Sequence, residues 1–261
     1  MEYAGGCYHV INRGNYRQRI FQKQGAAEAF ERTLDEAAER FAWRVHAYVV
    51  MGNHFHLAVE LVEPNLSDGM KWLQGTWIRR FNEFRNWTGR PFQGRYKAIL
   101  TEPGHAFAQV CHYIHLNPVR AGIVETASAA EYQWSSLRRF SLRTGPAWLE
   151  PATVVREAGG LPDTAYGWKK YAAYLEYLAT DDLERRQLVA SRMSCGWCMG
   201  GEAFVESMRE QAREKKQFID GERFAGLERE ELLAEREAHW EAALRRTADL
   251  AGMDLAKLPE Q

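Results

Sequence analysis

Along the first 120 residues the apolar positions switch repeatedly between the two-residue period of strands and the three-to-four-residue period of helices. Cys7-Tyr8-His9-Val10-Ile11 reads as a strand, closed by the turn-forming run Asn12-Arg13-Gly14-Asn15. Phe30, Leu34, Ala38 and Phe41 then recur at helical spacing and predict a helix over residues 26–42. Two β-branched and aromatic runs follow, Trp43 to Met51 and His54 to Val62, joined by Gly52-Asn53 as in a tight hairpin. A second helix is expected over 67–86, with Met70, Leu73, Trp77, Phe81 and Phe84 as its apolar stripe. Gly89-Arg90-Pro91 breaks that run, and Arg95 to Leu100 gives a fourth strand. A third helix is expected over 104–116, ending at Asn117-Pro118, because proline disfavours helical geometry in the residue before it. Pro118 would then open a new short helix.

The order strand, helix, strand, strand, helix, strand is the split βαβ arrangement of a ferredoxin-like sandwich. The expected class is α+β: a four-stranded antiparallel sheet with two helices on one face. After Tyr132-Gln133-Trp134-Ser135-Ser136 the texture changes, and Thr144-Gly145-Pro146 reads as the start of a linker. This divides the chain into a domain over 1–144 and a mostly helical accessory region over 145–261. Trp168, Tyr171, Leu175 and Leu178 mark one helix of that region, Phe204, Val205, Met208 and Ala212 a second, and Leu233, Trp240 and Leu244 a third. Leu250-Ala251-Gly252-Met253 resembles the turn of a helix-turn-helix, but only eight residues follow, too few for a recognition helix.

Composition adds an ordinary globular profile, with 46% hydrophobic and 26% charged residues over 261 positions. No apolar run approaches the roughly 20 residues of a membrane span, and no basic-then-apolar signal opens the chain. Four scattered cysteines give no disulfide framework, so the expected compartment is the reducing cytoplasm. The net charge of -1 hides an asymmetry: residues 1–144 carry 18 Lys and Arg against 13 Asp and Glu, and the rest carry 16 against 22. A basic front half suits a polyanionic partner without demanding one.

Two constellations carry chemistry. His54 and His56 stand two apart on a strand, on one face and about 6–7 Å apart, where they can hold one divalent metal. Tyr113 and Asn117 stand four apart and share a face of a helix or of its last turn. An amide oxygen is a suitable hard ligand, so a His-His-Asn set with water would suit Mg²⁺ or Mn²⁺. Beside it, Tyr113 is a candidate nucleophile through its phenol oxygen. Ordinary readings stand next to these. An HxH on a strand is more often a hydrogen-bonded pair than a metal site, and a helical tyrosine is usually a packing residue. Tyr96 is the rival nucleophile, beside Arg95 and Lys97. His112 and His115 could assist proton transfer or serve only the helix surface. Cys195 and Cys198 have redox or zinc spacing without a second pair, which favours two ordinary thiols.

The ordered set His54-Phe55-His56, then Tyr113-x-x-x-Asn117-Pro118-Val119-Arg120-Ala121-Gly122, resembles the REP-associated tyrosine transposases of the single-tyrosine HUH superfamily. Tyr8-His9-Val10 with Arg13-Gly14-Asn15, Phe92-Gln93-Gly94-Arg95-Tyr96-Lys97, and Tyr132-x-Trp134-Ser135-Ser136 agree in order, over roughly residues 5–140. The resemblance implies an endonuclease and strand transferase acting on single-stranded DNA, often folded as a hairpin. Tyr113 would attack a backbone phosphate, leaving a 5′-phosphotyrosine and a free 3′-hydroxyl. His54, His56 and Asn117 would carry Mg²⁺ or Mn²⁺. Arg13, Asn15, Arg95 and Lys97 are expected at the DNA, with Arg79 and Arg80 as further contacts. The expected state is a monomer or homodimer, cytoplasmic and nucleoid-associated. Gly52 departs from the proline that commonly precedes Asn-His in this family, and residues 145–261 have no counterpart in its minimal members. Two other classes compete: a non-catalytic binder of single-stranded or hairpin nucleic acid, and a zinc-dependent hydrolase. The second would normally continue HxH with an Asp where this chain has Ala58.

Overall fold

The computed structural model describes residues 1–180 and 196–218. Its centre is a sheet of β1 (Cys7–Arg13), β2 (Trp43–Val50), β3 (His54–Leu61), β4 (Lys97–Thr101) and β5 (Cys198–Met199), in the order β2-β3-β1-β4-β5. The first four strands pair antiparallel, as the ferredoxin-like reading requires. The fifth, which the sequence pattern did not reveal, adds to β4 in parallel, so the sheet has five strands and is mixed. Two residues are too short to show any period.

Helices α1 (Ala26–Arg40) and α2 (Leu66–Arg85) cover one face. Phe21, Phe30, Phe55, Trp77 and Phe92 meet there, with Phe30 and Phe55 centred 4.6 Å apart and Phe21 and Trp77 4.9 Å apart. The layer is held close by Gly69, where a Cβ would collide with the buried Trp43 ring.

The other face is covered by α3 (His105–Arg120), with α4 (Ser136–Leu142) beside β2 and with α5 (Ala152–Glu157) and α6 (Ala165–Thr180) packed against α3, so the fold has helices on both faces of the sheet. Helix α3 differs from expectation at its end. It runs through Pro118 to Arg120 rather than stopping at 116. A proline in the last turn forfeits one backbone bond, and the turn is closed beyond it by the Ala121, Gly122 and Ile123 amides. Gly122, at φ 65°, supplies the left-handed position after the helix.

Residues 132–150 close the free edge of β2. The Val50 amide donates to Trp134, Val45 exchanges bonds with Trp148 and Glu150, and the Tyr132 hydroxyl donates to the Val50 carbonyl at 2.9 Å. The Tyr-x-Trp-Ser-Ser motif is therefore an edge cover, one of the ways a sheet avoids open pairing. One compact unit spans Met1–Val205 and a second begins at Glu206. Helix α7 (Glu202–Phe218) matches the stretch marked by Phe204 and Met208. Cys195, the helix around Trp240 and the Leu250–Met253 turn lie outside the described residues.

Candidate active site

Strand alternation sends Phe55 into the aromatic layer beneath α1 and α2 and leaves His54 and His56 on the face covered by α3. The two imidazoles are 5.0 Å apart, and the Tyr113 ring stands edge-on to His56 at 5.7 Å. Asn117, one helical turn after Tyr113, donates from Nδ2 to the Tyr113 carbonyl at 3.1 Å. Its side chain also lies close enough to His54 to favour that ring's protonated form. His54, His56, Tyr113 and Asn117 thus come together from one strand and one helix.

Each histidine has its Nδ1 engaged by a neighbour. His56 Nδ1 lies 2.9 Å from Nε2 of His9, a fully buried residue of β1. His54 Nδ1 lies 2.7 Å from Asn53 Oδ1. Burial first, and the Arg13 charge second, push His54 down to about 4, against the opposing effect of Asn117. Burial, followed by the neighbouring His9 and His54, holds His56 well below its usual range. Both rings are therefore neutral at physiological pH, the form that offers a lone pair to a metal. Partners that fix a ring through its second nitrogen are the usual outer support of a histidine ligand. Among the described residues no three His, Cys, Asp or Glu side chains are grouped to hold a metal, so any such site here depends on the Asn117 amide.

Two residues near Tyr113 stand in the sequence motifs without a role of their own. His9 stacks on His56 at 5.1 Å and meets the Tyr113 ring at 5.9 Å. The Arg120 guanidinium lies over the Tyr113 ring, 4.7 Å from its centre. Signals for both existed: His9 is on a strand paired with β3, and Arg120 is seven residues after Tyr113, two turns along one face.

His112 and His115 point elsewhere. Their Nδ1 atoms lie 2.9 and 2.8 Å from the hydroxyl of Tyr171 on α6, and His115 Nε2 lies 2.8 Å from the Ser136 hydroxyl. Burial lowers them to about 4 and about 3. Tyr96 precedes β4 rather than lying within it, and its hydroxyl donates to Ser67 at 3.4 Å, at the start of α2 in the opposite layer.

The predicted DNA-contacting residues divide in two groups. Arg13 faces His54 across the β1–β3 pairing, and Lys97 faces Ile11 across β1–β4, so both share the histidine face at its open end. Arg95 is exposed beside them, and the Asn15 amide donates to the Pro91 carbonyl at 2.7 Å. Arg79 instead pairs with Glu83 at 3.7 Å, and Arg80 grips Glu36 with bonds of 2.6 and 2.9 Å.

Among proteins of known structure the chain is similar to a REP-associated tyrosine transposase bound to a REP hairpin. Identity is 17% and the TM-score 0.47, covering 59% of this chain and 90% of that one. It is also similar to a Deinococcus radiodurans protein assigned as a transposase, with 23% identity and a TM-score of 0.33, covering 43% of this chain and 91% of that one. No curated protein matches it in sequence. The family of IS200-like transposases matches residues 3–117, from β1 through Asn117. Over that stretch, which is less than half of the chain, the protein is similar to the IS200-like transposases.

Proposed function

We propose that the chain is a metal-dependent endonuclease and strand transferase of single-stranded, hairpin-forming DNA, with Tyr113 as nucleophile. The observation that carries this is the meeting of Tyr113, His56, His54 and Asn117 in one partly buried cluster. The Tyr113 phenol oxygen bonds to a backbone phosphorus as the bond to the 3′-oxygen breaks. The phenol gives up its proton, the 3′-oxygen gains one, and the DNA is left with a 5′-phosphotyrosine and a free 3′-hydroxyl. Because the phosphotyrosine keeps the energy of the broken bond, a 3′-hydroxyl can reverse the step and rejoin strands. No nucleotide cofactor is required.

The residues fit a hard divalent ion: two neutral imidazoles with Nδ1 already engaged, plus an amide. His54, His56 and Asn117 would hold Mg²⁺ or Mn²⁺, which supplies charge neutralisation and polarisation of the scissile phosphate. Arg120 puts a cation on the ring that must accommodate negative charge as the phenol loses its proton. Arg13 and Lys97 lie at the open end of the site, and with Asn15 and Arg95 they would track the DNA backbone. Arg79 and Arg80, already holding carboxylates, would contribute less. Residues 1–144 contain all of this machinery, and residues 145–261 would act as an accessory region, of which Tyr171 holds the helix that carries Tyr113. A zinc hydrolase would want a third His, Cys, Asp or Glu ligand, and none is grouped with the pair among the described residues.

The test uses a hairpin oligonucleotide with a single-stranded flank, labelled at either end and incubated with Mn²⁺. The 3′-labelled strand should become covalently attached to protein and the 5′-labelled strand should be released with a free 3′-hydroxyl. Tyr113→Phe should form no adduct while still binding the hairpin. Tight binding with no adduct on varied hairpins would favour a non-catalytic binder.

A further inference from the structure

An open cavity of about 490 Å³ lies between residues 18–23 and the C-terminal end of α2. Its lining combines three cations, Arg19, Lys23 and Arg85, with two aromatic rings, Phe81 and Trp87. Phe81 stacks on buried Trp77 at 4.9 Å and meets Trp87 edge-on at 6.0 Å, so the wall is rigid. Trp87 keeps 41% of its surface in solvent. Among the described residues none of the three cations holds a carboxylate. Arg19 reaches Gln22 at 3.4 Å and Arg85 donates to the Gln24 carbonyl at 2.9 Å. Glu83 and Glu36 nearby are taken by Arg79 and Arg80. Arg85 Nε is buried and has no hydrogen-bond acceptor among the described residues.

The cavity shares a loop with the candidate active site. Gly14 donates to the Asn53 carbonyl at 2.6 Å and Phe21 to the Gly52 carbonyl at 3.0 Å, tying residues 14–21 to the turn before His54. Asn53 Nδ2 donates to the Arg17 carbonyl at 3.3 Å while its Oδ1 holds His54 Nδ1. Gly14 is required there, because a Cβ would collide with the Gln18 carbonyl. Tyr16 and Arg17 follow at φ 49° and 57°, conformations that non-glycine residues hold only where surroundings impose them. One side of this loop thus holds Asn53, which in turn holds His54, and the other forms the cavity wall.

An exposed indole beside unpaired cations is the chemistry that binds a single-stranded nucleotide: a ring face for the base and positive charge for its phosphates. We propose that the cavity takes one unpaired nucleotide of single-stranded DNA, its base against Trp87 and its phosphates on Arg19, Lys23 and Arg85. The ligand class rests on the reading of the chain as a DNA-cleaving enzyme. A nucleotide held there would fix the strand that leads to Tyr113, so the cavity would help to choose the phosphate that is cut.

The test measures fluorescence anisotropy of a hairpin carrying a short single-stranded extension and of the same hairpin blunt. Trp87→Ala should weaken binding of the extended hairpin about tenfold and leave the blunt one unchanged. Trp87→Phe should retain most of the difference. An abasic site at one position of the extension should cause the same loss, and should add nothing further in Trp87→Ala. The pair Arg19→Gln with Lys23→Gln should flatten the slope of log K against log salt by about 1.4. Equal losses on both hairpins, or additive losses from Trp87→Ala and every abasic position, would overturn the proposal. Adduct formation on the same oligonucleotides separates the two readings. An adduct with an unaffected Trp87→Ala removes the cavity alone; a tenfold Trp87 effect without any adduct removes the nuclease and keeps the cavity.

Discussion

At the residue scale the candidate site depends on burial more than on charge. His54 and His56 are neutral because they are desolvated, and each is oriented by a neighbour at Nδ1. The HxH spacing and the four-residue step from Tyr113 to Asn117 were legible in the sequence, since each follows from one periodicity. The roles of His9 and Arg120 were not, because they come from pairing between separate strands and from a helix that continues through a proline. Arg120 gives a direct prediction. Arg120→Gln should slow single-turnover adduct formation by about 10- to 100-fold while leaving hairpin affinity within about twofold, because the guanidinium would act on charge that develops only in the reaction. A loss of affinity with an unchanged rate would make it a DNA contact instead.

His112 and His115 give a prediction about pH. In the folded chain they resist protonation until about 4 and about 3, whereas unfolded histidines titrate near 6.5. Below pH ~6.5 the unfolded state binds more protons, so stability should fall as pH drops from ~6.5 toward ~4, by up to about 1.4 kcal/mol per pH unit for each histidine. Thermal melting between pH 7.5 and 4.5 measures this. A melting temperature that stays flat to pH 4.5 would contradict the burial of neutral histidines.

At the element scale α3 is the axis of the site, and its outer face is bonded to α6 and α4. Ser136 Oγ accepts from the Tyr48 amide at 2.9 Å and donates to the Tyr48 carbonyl at 3.2 Å. That leaves His115 Nε2 as the donor to Ser136 Oγ, so His115 Nδ1 accepts from Tyr171, and Tyr171 in turn accepts from His112. This chain of bonds, entirely buried, fixes the helix that presents Tyr113. The sequence marked Tyr171 only as one of a helical apolar stripe; nothing in a stripe says which hydroxyl will meet two histidines. On the opposite face the controlling contact is between α2 and β2 at Gly69 and Trp43. Gly69→Ala should destabilise the chain by about 1–3 kcal/mol, read by urea unfolding, because the added methyl must displace a buried ring or shift the helix. A neutral effect would mean that α2 does not approach β2 so closely.

At the scale of the whole molecule, the split βαβ order was readable because each of its six elements is long enough to show a period. What escaped was everything set by non-local pairing. The two-residue β5, the run of 132–150 along the β2 edge, and the placement of α3 on the face opposite α1 and α2 all depend on contacts between distant segments. That placement turns a pair of strand histidines into an enclosed cluster, since a helix on the other face could not reach them. No helix among the described residues is long and apolar enough to cross a membrane. The architecture brings basic Arg13 and Lys97 to the open end of the cluster, where a DNA strand would enter.

The central claim is that Tyr113, and no other tyrosine, becomes joined to DNA. Tryptic digestion and mass spectrometry of the protein after reaction with a hairpin and Mn²⁺ test it most directly. The fragment from residue 98 to residue 120 contains Tyr113 as its sole tyrosine, whereas Tyr96 falls in a separate fragment with Lys97. The 98–120 fragment should carry the mass of the 5′-phosphorylated cleavage product. Nucleotide mass on the Tyr96 fragment, or on any peptide outside 98–120, would contradict it.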